Sequence, residues 1–236
     1  MKQSPSQNFD VRADGQNPSY IILHYTGTKT AEEAEARFCN DNPQDQIGRI
    51  APHYMIDGVG QWIKFIEEDK RAWHAGKAQW KDITDMNSAS IGIEIWNSGH
   101  EFDCEDFLPK QIDSLVELIE NIRTRWNIPN ANILGHSDIA PGRKIDPGEK
   151  FPWRKLEIYG VGLMPDMGDP SSEAEAMVSA PESFYQALRD YGYTYTDDQT
   201  VLLREFRRHF LPKLLDNQEL DLETCAAILS LARQAA

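Results

Sequence analysis

Cysteine is scarce in this 236-residue chain, with three residues, Cys39, Cys104 and Cys225, set far apart. An odd, scattered set cannot build a fully paired disulfide framework, and no C-x-x-C pair is available for zinc or redox chemistry. Buried or half-buried thiols are the simplest reading of all three. Positive charge is short as well. The 24 Lys and Arg against 38 Asp and Glu give a formal net charge of -14. That surplus repels phosphate backbones at long range and argues against nucleic-acid or anionic-membrane partners, while leaving room for a small basic patch inside a cleft. No apolar run approaches the length of a membrane span. The opening MKQSPSQNFDVRADG lacks the apolar stretch of a secretory signal. The expectation is a soluble, cytoplasmic protein without integral membrane contact, with the periplasm as the alternative if a leader preceded this sequence. Several catalytic signatures are also missing: H-E-x-x-H, H-x-x-E-H, the G-x-S-x-G elbow and a Gly-rich phosphate loop.

What is present is an ordinary globular composition, 40% hydrophobic and 26% charged, and enough chain for one or two domains. There are no internal repeats. The run GVGLMPDMGDPSSEAEAMVSAP, Gly160 to Pro181, is rich in Gly, Pro and Ser and shows no sustained period, which predicts a linker. The expected organisation is therefore a domain over 1–160, a linker over 161–181 and a helical module over 182–236. In the first domain, Tyr20 to Tyr25 reads as a buried strand. A second runs from Ser90 to Trp96, with Ile91, Ile93 and Ile95 on one face and Gly92 and Glu94 on the other. His53 to Ile66 alternates around a turn at Asp57-Gly58, a hairpin pattern. Ile112, Leu115, Val116, Ile119, Ile122 and Trp126 recur at helical spacing, and Ile133-Leu134 leads as a strand into Gly135-His136. Strands interleaved with helices predict an α/β domain around a central mixed β-sheet. In the tail, Phe184/Leu188/Tyr191, Val201/Leu202/Phe206/Phe210 and Leu222/Cys225/Ala226/Leu229 predict three packed helices.

Six histidines are available for chemistry: His24, His53, His74, His100, His136 and His209. His24 ends an apolar strand, where a hydrogen-bonded core histidine is the commoner role. Glu94 lies between two isoleucines. If buried it must be paired, metal-bound or shifted in pKa, and on an edge strand it is simply solvated. In the segment 135–148, His136 leaves a strand and two Pro-Gly pairs frame Arg143, Lys144 and Asp146. Such a loop either brings an imidazole and a carboxylate onto one cation or is a surface loop with incidental charges. Two neutral imidazoles and a carboxylate make a sound catalytic zinc shell with a fourth position for water. A lysine two residues before that carboxylate suits a developing oxyanion.

Five blocks, I-L-H-Y-T-G (22–27), A-P-H-Y-M-I-D (51–57), W-H-A-G (73–76), S-I-G-I-E-I (90–95) and G-H-S-D-I-A-P-G-R-K-I-D-P-G (135–148), resemble, in order, the zinc-dependent N-acetylmuramoyl-L-alanine amidases of the AmpD/AmiD type from bacterial cell-wall recycling. These share a fold with phage lysozyme-type amidases and peptidoglycan recognition proteins. The resemblance covers most of residues 18–160. It implies Zn2+ as cofactor, His24, His136 and Asp146 as its ligands, Glu94 as catalytic carboxylate and Lys144 as transition-state lysine. It places Trp73 and His74 near the groove, in substrate contact or in a structural role, and implies a substrate contact for Arg143 and a supporting or packing role for His53. His100 and His209 match nothing in it. The aromatics Phe184, Tyr185, Tyr191, Tyr193, Phe206 and Phe210 resemble a small three-helix peptidoglycan-binding-type module. The implied reaction is hydrolysis of the amide between (anhydro-)N-acetylmuramic acid and L-alanine of the stem peptide, with anhydro-muropeptides or murein as partners. Two other readings stand beside it: a non-catalytic peptidoglycan recognition protein, and a thiol hydrolase built on Cys39.

Overall fold

The computed structural model describes residues 1–169 and 171–235. In chain order the strands are β1 (Lys2–Gln3), β2 (Phe9–Val11), β3 (Tyr20–Tyr25), β4 (Tyr54–Ile56), β5 (Trp62–Lys64), β6 (Lys70–Ala72), β7 (Ser90–Ile95) and β8 (Ile133–Gly135). The helices are α1 (Ala31–Cys39), α2 (Met86–Ala89), α3 (Pro109–Arg123), α4 (His136–Ile139), α5 (Trp153–Glu157), α6 (Ser172–Ser179), α7 (Pro181–Tyr191), α8 (Gln199–Phe210) and α9 (Leu222–Gln234).

Six strands form one mixed sheet in the order β1-β5-β4-β7-β3-β8, and β2 pairs with β6 in a separate ribbon. The runs YIILHY and SIGIEI are nearly continuous apolar segments, the pattern of parallel strands covered on both faces. They pair in parallel as β3 and β7, with β4 and β8 parallel on either side. The predicted hairpin is β4–β5, antiparallel around Asp57, whose Oδ1 accepts the Val59 and Gln61 amides. Gly60 in that turn has φ 84°. A Cβ there would lie 2.7 Å from Ser114 Oγ and 2.9 Å from the Lys110 carbonyl, so the turn packs on α3 only with glycine.

Period 2 sorts the sheet's side chains between two layers. Tyr54, Ile56, Ile91, Ile93 and Ile95 join the buried cluster that contains the α3 stripe Ile112, Leu115, Val116, Ile119 and Ile122. Met55 faces the other way, into a smaller cluster with Ala34 and Phe38 of α1. Met55 is the register partner of Glu94, and Glu94 that of His24, so these residues share the α1 side of the sheet.

The three expected tail helices are α7, α8 and α9. Their aromatics Phe184, Tyr185, Tyr191, Tyr193, Phe206 and Phe210 are all buried, so packing accounts for that pattern. The stretch expected as a linker differs. It contains α6, started by Ser171, whose Oγ accepts the Ala174 amide, with Glu173 and Glu175 in the first turn. Val161, Met164, Ala174 and Met177 are buried in the same cluster as the sheet. Eight residues with two buried positions are too short to print a helical period in the sequence. Among the described residues no helix is long and apolar enough to cross a membrane.

Candidate active site

His24 closes β3, Glu94 lies near the end of β7 and His136 follows β8 directly, so the site forms at the carboxyl ends of adjacent parallel strands, where α/β sheets place their ligands. His136 begins α4. The loop that follows returns Asp146, whose carbonyl accepts the Ser137 amide at 2.9 Å. Three atoms then converge. His24 Nδ1 lies 2.9 Å from His136 Nδ1 and 3.0 Å from Asp146 Oδ2, and His136 Nδ1 lies 2.9 Å from the same oxygen. All three residues are buried.

This set fits a small divalent ion. A tetrahedral zinc with bonds of about 2.0–2.1 Å holds its donors about 3.3 Å apart, a few tenths of an ångström wider than the triangle seen here. Nitrogen and carboxylate donors suit that ion. His136 Nε2 lies 2.9 Å from the Ala75 carbonyl, which only accepts, and 3.2 Å from Arg143 Nη2. The shorter contact calls for a proton on Nε2 and leaves the Nδ1 lone pair to face the other two donors. Burial, and then the neighbouring His136, push the His24 pKa down to about 4, so that imidazole is neutral at pH 7. Burial pushes the Asp146 carboxyl upward, but His136 and His24 outweigh it and hold it well below the usual carboxylate range.

Glu94 is half-buried, with Oε2 shielded from solvent and without a hydrogen-bond partner. Burial, reinforced by the charge of Asp146 and opposed by Lys144, pushes its pKa well above the ordinary value. A carboxyl of that kind beside a set of side chains that could hold a metal is positioned to hold and release a proton. Lys144 is half-buried on the loop between His136 and Asp146.

A family model for N-acetylmuramoyl-L-alanine amidase matches residues 14–149. The chain belongs to this amidase family. It is 31% identical over 227 residues to the N-acetylmuramoyl-L-alanine amidase AmiD of Escherichia coli K12, covering 87% of this chain and 79% of that one. It is 30% identical over 167 residues to the 1,6-anhydro-N-acetylmuramyl-L-alanine amidase AmpD of Citrobacter freundii, covering 66% of this chain and 87% of that one. Among solved structures, AmpDh3 of Pseudomonas aeruginosa in complex with anhydromuramic pentapeptide superposes with a TM-score of 0.78 at 29% identity, over 94% of each chain. AmiD from E. coli, in complex with anhydro-N-acetylmuramic acid-L-Ala-D-gamma-Glu-L-Lys, gives 0.77 at 29% identity, over 94% of this chain and 92% of that one.

In this amidase the residues expected to touch substrate are engaged within the protein. Both His74 nitrogens have partners, His24 Nε2 at 3.0 Å and Ser90 Oγ at 3.2 Å. Arg143 donates to the Ala75 carbonyl at 2.6 Å. The Trp73 indole stacks under the Arg49 guanidinium, 4.9 Å from ring centre. His53 is fully buried and supports β7: its Nδ1 accepts the Gly92 amide and its Nε2–H donates to the Lys70 carbonyl, each at 3.0 Å. Cys39 ends α1 with its Sγ against Ser4, away from the converging imidazoles.

Sequence reasoning missed a second set. Asp138 is fully buried in α4 and accepts the Gly135 amide at 2.7 Å, the Tyr193 hydroxyl at 2.6 Å and His209 Nδ1 at 2.8 Å. The His209 ring stacks on Trp153 and Phe210, with centroids 3.9 Å away in each case. Arg208 pairs with Glu149, which also meets His100 at 3.1 Å. Three tail residues thus grip both ends of the loop that carries His136 and Asp146. The available signal was positional: His209 falls on the apolar stripe of α8, three residues after Phe206, where a histidine needs a buried partner.

Proposed function

We propose that this amidase hydrolyses the amide joining (anhydro-)N-acetylmuramic acid to L-alanine of peptidoglycan stem peptides, with zinc held by His24, His136 and Asp146. The observation that carries this reading is the triangle of two imidazole nitrogens and one carboxylate oxygen, 2.9–3.0 Å apart, with Glu94 on the adjoining strand. The anhydro-muropeptide ligands of the similar AmpDh3 and AmiD structures support the substrate class. Bound zinc would supply a water acidic enough to attack at neutral pH and a Lewis acid for the carbonyl. Glu94 takes the proton of the attacking water and delivers it to the leaving amine. Lys144 faces the negative charge that develops on the carbonyl oxygen. Stem peptides carry carboxylates, and Arg143, exposed on the same loop, offsets the acidic bulk of the molecule there.

In this reading residues 1–160 carry catalysis and residues 182–236 form the peptidoglycan-binding-type module. Substrate follows compartment: a cytoplasmic enzyme meets recycled fragments, and an exported one also meets the wall.

The test is product identification from a purified anhydro-muropeptide. Free peptide beginning with L-Ala, together with an intact muramyl sugar, is the expected outcome. Uncleaved substrate with tight binding would move the assignment to peptidoglycan recognition, and inactivation by a thiol-alkylating reagent would move it to Cys39.

A further inference from the structure

Ser90, Gly92 and Glu94 alternate along one face of β7. At Gly92 a Cβ would lie 2.4 Å from His74 Cγ and 2.5 Å from His74 Nδ1, so the imidazole rests directly on the glycine. From that seat it joins two neighbours. His74 Nδ1 is 3.0 Å from His24 Nε2, and His74 Nε2 is 3.2 Å from Ser90 Oγ. Ser90 Oγ in turn lies 2.5 Å from the Met86 carbonyl oxygen.

Proton counting fixes the direction of this chain. A carbonyl only accepts, so the single Ser90 proton goes to Met86 and Ser90 accepts from His74 Nε2–H. His74 Nδ1 is then an acceptor, and the proton between it and His24 must belong to His24 Nε2. His24 Nδ1 is left bare, aimed at His136 Nδ1 and Asp146 Oδ2. The reverse polarity would leave the Ser90 and Met86 oxygens in contact with no proton between them, which is costly. A second proton on His74 would put a cation against a ligand of a divalent ion.

We infer that His74, seated on Gly92 and oriented by Ser90, is a positioning residue that holds His24 in the Nε2–H tautomer and so presents Nδ1 to the metal. The Ala75 carbonyl does the same directly for His136. The two imidazoles and Asp146 then offer three converging lone pairs, an arrangement that suits a bound cation. This role is the structural alternative to a substrate contact for His74, and it rests on the zinc reading above.

Two measurements test it. In the zinc-loaded wild-type protein, long-range 1H–15N correlation spectra of the histidine rings should show both His24 and His74 as neutral Nε2–H tautomers. A proton on His24 Nδ1, or a doubly protonated His74, overturns the inference. In the second, zinc affinity is read by competition with a chelating indicator, with folding checked by circular dichroism. His74→Phe should lose roughly 10–100-fold in affinity, the usual cost of removing a hydrogen-bond partner behind a metal ligand. His74→Asn should recover most of that, because its amide oxygen can still accept from His24 Nε2–H. A folded His74→Phe protein that binds zinc as tightly as wild type overturns the inference. If His74→Phe does not fold, the wild-type spectrum decides alone. Failure of the wild-type protein to take up zinc would overturn the metal reading itself, and the inference with it.

Discussion

His24 and Glu94 are register partners on β3 and β7, so a metal-competent imidazole and an unpartnered buried carboxylate oxygen stand side by side on one face of the sheet. That adjacency separates two jobs. His24 belongs to the converging donor set, and Glu94 makes no hydrogen bond to it.

Glu94→Gln should therefore keep full zinc stoichiometry while turnover falls by roughly 10²–10⁴-fold, the usual contribution of a general base. Metal analysis beside steady-state kinetics checks this. Near-normal turnover would remove Glu94 from the proton transfers.

Removing a ligand should act on metal and stability together. Asp146→Ala leaves two imidazoles without their carboxylate, and zinc uptake should drop below detection at micromolar protein. In the wild-type protein, a free ion at 1,000 times its Kd stabilises the fold by about 4 kcal/mol. A chelator should therefore lower the melting temperature of the wild type and leave that of Asp146→Ala unchanged. Equal chelator shifts in the two proteins would contradict the assignment.

The contact between tail and loop is the target of Tyr193→Phe. It removes the 2.6 Å hydrogen bond to Asp138 Oδ1 and leaves a fully buried carboxylate oxygen short of a donor. A loss of about 1–3 kcal/mol in urea denaturation is expected. Because Asp138 also caps the turn at Gly135 that leads into His136, zinc affinity should weaken in the same variant. Unchanged stability would show that the tail does not brace this loop.

Acid should weaken the fold through His53. Burial, and then Arg12, lower its pKa from 6.5 to about 3. Between those values the unfolded chain holds the extra proton and the folded chain does not, so stability rises with pH across that window. The contribution is complete above about pH 6.5 and is lost on acidification towards pH 3. At about 1.4 kcal/mol per pH unit, the His53 share of the loss from pH 6.5 to pH 5 is about 2 kcal/mol, on top of the share from buried His24, whose pKa is lowered in the same direction. His53→Gln should reduce the urea-measured loss over that window by about 2 kcal/mol, and an unaltered slope would assign the acid sensitivity to other groups.

The parts that could be read from the chain alone were those with a long period or an unbroken apolar run: β3, β7, the β4–β5 hairpin, α3 and the helices α7 to α9. The two- and three-residue strands β1, β2 and β6 pair far along the chain and carry no pattern of their own, and α6 hides in a stretch whose composition resembles a tether. At the site, ordered motifs nominate His24, Glu94, His136, Lys144 and Asp146. They do not reveal that His74 turns inward to His24, because that depends on the missing Cβ of Gly92 and on a proton order set by the Met86 carbonyl. Nor do they reveal the Asp138 grip, which joins residues 55 and 71 positions apart.

The most direct test of the account is mass spectrometry of an anhydro-muropeptide incubated with metal-free protein, with zinc-reloaded protein, and with reloaded protein plus chelator. Release of the L-Ala-led peptide only in the reloaded sample without chelator is the predicted result. Equal release by the metal-free protein would contradict the role assigned to His24, His136 and Asp146.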